Sequence, residues 1–433
     1  MPLKLGSNTS EVSEQISPGF LKKYEHINWA LADQALVSGF NFLTGILLAR
    51  LLGLAAYGQY VLVYAALLYL NTFQASLVIA PMMSLVPQVM VETERREFLR
   101  GLLAFQIIFT SFLGAAVLLL SNVVQWFLPF KSIAEFVWPF LLTLFFFQLQ
   151  DWLRRFYFIG NAGKKALIND AISYGGQAAL LLVLSYYGRL SVPSAFGAIA
   201  LTSAVAYAVG AFTEGLRPAW PHGLRAFKKC WPSGRDLLIA SQLQWAGSQG
   251  VLIIGAGMLG VAAAGGIRAA QNIVGPLNIL FQAMENFVPV QAARRYAKQN
   301  MAGLLQYLKS ISVWGGGGLA LAGLFFAVTA GWLVPFAYGQ SYAAFSALVG
   351  WQALYMLLGF FYRQTTYFHR TIGNTSVILA ASAISAGSSV LLAFYLTASL
   401  RETGLMLALI AGQAIGLAYA VRLAATRSAL SHA

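Results

Sequence analysis

The chain has 433 residues, of which 58% are hydrophobic and 10% charged. Soluble domains carry about 25% charged residues, so this composition excludes an ordinary globular fold. Net charge is +14, which by itself would suit nucleic acid, but the basic residues are distributed by side of a membrane and not as a binding patch, as set out below.

Residues 1–28 are polar and lack the early apolar core of a cleavable signal peptide, so the first apolar segment, near Trp29, is expected to remain as an anchor. Apolar runs of about 20 residues then recur to the C-terminus, the length of a helical span. They predict an all-α polytopic membrane protein with about twelve transmembrane helices. The spans are expected at 29–50, 58–80, 99–121, 136–158, 166–187, 192–213, 237–259, 266–290, 309–330, 341–362, 374–397 and 403–423. A basic, Pro/Gly-rich stretch, "EGLRPAWPHGLRAFKKCWPSGRD" (214–236), separates two halves. The expected organisation is an N-terminal tail (1–28), an N-lobe (29–213), a linker (214–236), a C-lobe (237–423) and a C-terminal tail (424–433).

With the N-terminus in the cytoplasm, 23 of the 28 basic residues fall in cytoplasmic segments and 4 on the opposite side. This is the bias that orients helical membrane proteins. It places both termini and the linker in the cytoplasm and explains the charge without nucleic acid. On this reading Arg363 and Arg370 lie in a cytoplasmic connection, and Arg154, Arg155 and Asp151 form local pairs and topology signals.

The halves resemble each other. "LGLAAYGQY" (52–60) follows the first span and "LGVAAAGGI" (259–267) follows the seventh, 207 residues later. Six spans per half give both the same orientation, a parallel repeat with two pseudo-symmetric six-helix lobes.

The eighth span holds the polar chemistry. Arg268, Gln271, Asn272, Asn278, Gln282, Glu285 and Asn286 fall on one face of a helix whose remainder is apolar. Lipid cannot satisfy those groups, and an arginine at mid-helix costs about 2.5–3.5 kcal/mol to insert, so the face should line a polar cavity. The first span presents Asp33, Gln34, Ser38, Asn41 and Thr44 in a similar arc, and the seventh presents Gln244. Asp33 and Glu285 are candidates for coupling to an ion, H+ or Na+, and Arg50, at the end of the first span, is a candidate anion contact. Cys230 is the only cysteine, and the four histidines are scattered, so neither a disulfide nor a metal site is expected. "GAGMLG" (255–260) matches a dinucleotide fingerprint in letters only, because it closes a membrane helix and no strand precedes it. No catalytic constellation or cofactor motif is visible.

"LLARLLGLAAYGQYVLVYAALLYL" (47–70) and the polar eighth span, "RAAQNIVGPLN…Q…ENFVP", resemble bacterial polysaccharide transporters of the multidrug/oligosaccharidyl-lipid/polysaccharide flippase superfamily. The resemblance implies two lobes opening alternately to each side of the inner membrane. It implies no covalent chemistry. The implied substrate is undecaprenyl-pyrophosphate carrying an oligosaccharide repeat unit, a precursor of O-antigen, exopolysaccharide or capsule. The implied partners are that lipid-linked oligosaccharide, membrane lipids, and polysaccharide polymerase and export machinery. In related lipid II flippases cavity arginines hold the pyrophosphate, a role the resemblance offers to Arg268 and Arg50. Two alternatives stay open: a cation-coupled drug antiporter of the same superfamily, and a membrane polysaccharide polymerase or ligase.

Overall fold

The computed structural model describes residues 25–89, 91–124 and 134–430. They are helical almost throughout, with no strand among the described residues. In chain order the helices are α1 (Glu25–Gln74), α2 (Ala80–Leu85), α3 (Glu92–Val124), α4 (Ala134–Ile159), α5 (Gly163–Asp170), α6 (Gly176–Tyr186), α7 (Val192–Thr213), α8 (Trp220–Trp245), α9 (Val251–Leu259), α10 (Val261–Ile273), α11 (Asn278–Tyr338), α12 (Ala347–Thr371) and α13 (Thr375–Leu430).

Seven helical stretches are long and apolar enough to cross a membrane. Three of them, at 54, 48 and 51 residues, are far too long for one crossing. Each is divided by a residue with positive φ: Gly53 in α1, Asn300 in α11 and Arg401 in α13. Short π-helical turns join α1 to α2, α5 to α6 and α8 to α9, and the 3₁₀ turn Gly275–Leu277 joins α10 to α11, keeping each pair in one rod. The described residues therefore form twelve rods, and the expected spans fall within them. The chain is an all-α polytopic membrane protein.

The segment 214–236 is more ordered than its Pro and Gly content suggests. From Trp220 onward it is helix and continues into the seventh span as α8. Pro221 sits in the first turn, where its missing N–H is not needed, and Pro232 is carried inside the helix. Cys230 is buried on this helix, and burial pushes its thiol up to about 11.

The internal repeat has a physical basis. Gly53 (φ 77, ψ 172) and Gly260 (φ 89, ψ 167) are 207 residues apart and adopt one conformation, in a region that a side chain disfavours. Each turns the chain from one span into the next. Five residues on, Gly58 and Gly265 meet each other where the second and eighth spans cross. A Cβ on Gly58 would lie 1.8 Å from the Val261 carbonyl oxygen, and one on Gly265 would lie 2.8 Å from the Leu54 carbonyl oxygen and 3.0 Å from the Gly58 nitrogen. The repeat thus packs backbone against backbone at the centre of the molecule, a contact available only without side chains.

Gly58→Ala is expected to push these spans apart and to lower stability by about 1–3 kcal/mol, as overpacking does. Gly39→Ala, where a Cβ meets nothing within 4 Å, is the control and should be neutral. Thermal unfolding of the two purified variants checks this; equal midpoints for both would refute the close crossing.

Candidate functional site

A cavity of about 810 Å³ lies between the halves. The first span contributes Ser38, Asn41 and Thr44 to its wall, and the second contributes Tyr57, Tyr60 and Tyr64. The seventh contributes Gln249, the eighth Arg268, Asn272, Asn278 and Phe281, and the tenth Arg363. Along the first span it extends from Ala35 to Gly45, ten residues or about 15 Å of helix.

Of the residues expected here, Arg268, Asn272, Asn278 and Asn41 reach the cavity. Gln271 stands one turn along the helix, its side-chain oxygen 3.5 Å from a guanidinium nitrogen of Arg268. Asn272 donates to the Tyr57 hydroxyl at 3.2 Å, tying the eighth span to the second. The side chains of Gln244, Gln282, Glu285 and Asn286 lie outside the described set. The eighth span narrows to a 3₁₀ turn at Gly275–Leu277, where Pro276 has no N–H to give, and Gly275 and Pro276 face the cavity.

Two groups not expected from the sequence belong to this wall. Arg363 was assigned to a cytoplasmic connection, but α12 runs on to Thr371, two turns further, and carries the guanidinium into the cavity. Its Cζ lies 5.0 Å from the Phe281 ring centroid, a cation–π contact with the eighth span. The tyrosines form a stack: ring centroids are 6.2 Å apart for Tyr57 and Tyr60, and 5.6 Å for Tyr60 and Tyr64. Their spacing of three and then four residues was a helical-face signal, but apolar packing gives the same pattern. Two guanidiniums stand in the cavity wall, and no carboxylate stands among the described residues that line it.

Asp33 is not in the cavity. It is buried inside the N-lobe, where Arg154 holds it at 2.5 Å and also holds Asp170 at 2.7 Å. Gln150 donates to Asp170 at 2.6 Å and to Asn169 at 3.0 Å, and Asn169 donates to the Ala206 carbonyl at 2.8 Å. Four polar groups from the first, fourth and fifth spans, Asp33, Gln150, Asn169 and Asp170, thus gather around the single cation of Arg154. The expectation of a local pair at Arg154 is corrected: only Arg155 bonds locally, to Asp151 at 3.4 Å. A guanidinium buried beside carboxylates of two other helices gains more than one at the helix rim, because the attraction grows as water is excluded.

Arg50 also lies outside the cavity wall. Its Nε donates to the Ala337 carbonyl at 2.7 Å and its Nη2 to the Phe336 carbonyl. Both carbonyls belong to the last turn of α11, so Arg50 caps a helix of the opposite half. Beside it the Tyr342 hydroxyl donates to the Ala49 carbonyl at 3.1 Å. These bonds hold the halves together at the end of the bundle marked by Gly53 and Gly260. On a second flank Gln242 donates to Thr72 at 2.9 Å, and the Ser76 hydroxyl donates to Ser241 at 3.0 Å. No cluster of metal-ligating residues occurs among the described residues.

No family model matches the chain, and no curated protein matches it by sequence. Its fold does match solved structures. The inward closed conformation of the lipid II flippase MurJ aligns with a TM-score of 0.69 at 13% identity, covering 91% of this chain and 87% of that one. An inward-facing multidrug resistance MATE family transporter of the MOP superfamily also gives 0.69, at 15% identity, covering 91% of this chain and 95% of that one. An outward-facing MATE family transporter gives 0.58 at 16% identity, covering 92% and 94%. The chain therefore has the fold of the multidrug/oligosaccharidyl-lipid/polysaccharide flippase superfamily.

The buried cluster yields a prediction. Removing Arg154 leaves two carboxylates without their cation, so Arg154→Met should destabilise the protein by about 3–5 kcal/mol. Adding Asp33→Asn and Asp170→Asn should recover most of that loss. The check is the unfolding midpoint of the single and triple variants; a single variant as stable as the parent would dismiss the cluster.

Proposed function

We propose that this transporter-fold protein flips an anionic amphiphile, a lipid-linked oligosaccharide on undecaprenyl-pyrophosphate, across the bacterial inner membrane by alternating access. The observation that carries this reading is the guanidinium of Arg268 in the cavity wall, on the same helix as Asn272 and Asn278 and with Arg363 also lining the space. A guanidinium binds phosphate oxygens in a two-pronged way that a lysine cannot. Inside a water-poor cavity such a contact outweighs the same contact in bulk solvent.

In this reading the two arginines bind the diphosphate. Asn41, Asn272 and Asn278, with the hydroxyls of the tyrosine stack, offer donors and acceptors to the sugars. The polyprenyl tail stays in the bilayer and leaves through the gap between lobes, since it is as apolar as the lipid around it. The contacts at Arg50 and Tyr342 close one end of the cavity, and their release opens it to that side. No bond of the substrate is made or broken. A cation antiporter would be served by an acid in the cavity; of the two candidates, Asp33 is held by Arg154 in the N-lobe, and the Glu285 side chain lies outside the described set.

Arg268→Ala and Arg363→Ala should each leave a folded protein with transport reduced at least about tenfold, the loss of one charge-assisted contact of about 1.5–3 kcal/mol. Arg268→Lys should retain part of the activity, because the charge survives and the fork does not. Adding Asp33→Asn should not rescue Arg268→Ala, since these two residues do not pair. Lipid-linked sugars accumulating on the inner leaflet of cells are the readout. Normal surface glycan from stably expressed Arg268→Ala would end the anion-contact reading.

The orientation follows from the basic bias: both termini and the segment 214–236 face the cytoplasm. Tyr187→Cys and Lys228→Cys replace exposed residues on opposite sides. The native thiol of Cys230 is buried and held well above neutral, so it should stay silent. A membrane-impermeant maleimide on intact cells should label position 187 only; labelling at 228 would reverse the topology.

A further inference from the structure

The helix that bridges the two halves has three faces, and only one is covered by protein. Gly223, Ala226 and Cys230 are buried on an arc of about 60°. They lie against the third span, where Gly101 meets His222, Ala104 and Phe105 meet Gly223, and Phe105 stacks near Phe227 at 5.0 Å. The next arc, also about 60° wide, carries Trp220, Leu224, Phe227 and Trp231. Of these, Trp220 is 53% exposed, Leu224 64% and Trp231 42%. The third arc carries Arg225, Lys228 and Lys229, all exposed, with Lys229 also resting over the Phe98 ring at 4.5 Å.

We infer that this face of α8 is a binding surface for anionic phospholipid headgroups. An apolar stripe with tryptophan beside a basic sector is the arrangement of a helix that lies at the membrane interface: the stripe enters the acyl boundary and the cations stay at phosphate level. The charge is one-sided. Between Glu214 and Asp236 the sequence has five basic residues and no acidic one. Glu214 is already engaged by Lys165 at 2.6 Å. A soluble partner would have to cover two exposed tryptophans and match unopposed cations, whereas an anionic lipid supplies both chemistries in one molecule.

The position gives the contact a consequence. The helix continues without interruption into the seventh span, which belongs to the C-terminal half, while its buried face grips the third span of the N-terminal half. A lipid seated there touches an element shared by both halves. It should favour the arrangement in which that grip is made.

The test is independent of the substrate reading. Purified protein in neutral detergent is titrated with phosphatidylglycerol or phosphatidylcholine, and the unfolding midpoint is followed. Phosphatidylglycerol should raise the midpoint of the parent by several degrees and phosphatidylcholine should not. Arg225→Gln with Lys228→Gln should lose most of that rise. Arg294→Gln with Lys298→Gln, which removes the same charge elsewhere, should keep it. Leu224→Gln probes the apolar stripe without touching a charge and should also weaken the response, so a poorly folding charge variant does not leave the question open. The inference is overturned if Arg225→Gln/Lys228→Gln or Leu224→Gln responds like the parent. An equal rise with phosphatidylcholine, or with soluble glycerol 3-phosphate, overturns it as well.

Discussion

The architecture depends on one contact, the crossing of the second and eighth spans at Gly58 and Gly265. Helix axes in a membrane are drawn together by packing, since lipid and leucine are equally apolar. Side chains of ordinary size hold two helices 8–10 Å apart. Here the glycines let the carbonyls of Leu54 and Val261 approach the facing backbone. Because the two glycines are equivalents in the repeat, the contact joins like to like across the pseudo-symmetry axis. Everything at the cavity is positioned from it: Tyr57 precedes Gly58 by one residue, and Arg268 follows Gly265 by one turn.

Charge is divided between two environments. In the N-lobe, Arg154 holds two carboxylates, Asp33 and Asp170, outside the cavity. That cluster links three spans and gives the lobe a polar interior, at the desolvation cost that buried ion pairs carry. In the cavity the Arg268 guanidinium lies beside the Gln271 amide, and the Arg363 guanidinium stands over the Phe281 ring. The Gln271 amide orients the Arg268 cation without cancelling it. A guanidinium in a cavity wall suits an anion, and Arg154 keeps Asp33 and Asp170 away from that wall.

The end of the bundle marked by Gly53 and Gly260 carries contacts between the halves. Arg50 spans from one half to the helix end of the other, and Tyr342 returns the contact. Both bonds are to backbone carbonyls that a helix terminus leaves unsatisfied. Water can replace such bonds when the end opens, so separating the halves there leaves no carbonyl stranded in lipid. This makes the cap suitable for an interface that forms and breaks.

Hydropathy and the distribution of lysine and arginine were enough to identify a membrane protein, to locate twelve spans and to find the repeat. Those properties follow from the solvent, because every twenty-residue apolar segment meets the same bilayer whatever its neighbours are. The polar stripe of the eighth span was legible for the same reason: Arg268, Asn272 and Asn278 break an apolar pattern and must face something other than lipid. Which group faces which was decided only by tertiary packing. Asp33 and Asn41 share one side of one helix, yet Asp33 meets Arg154 from the fourth span and Asn41 meets the cavity. Arg363 reads as a loop residue until α12 is seen to run two turns past it. Arg50 reads as a free cation until the end of α11, about 290 residues later, supplies its carbonyls. Sequence periodicity reports the face a residue occupies on its own helix, whereas the partner of a buried charge is set by which other helix is packed against that face.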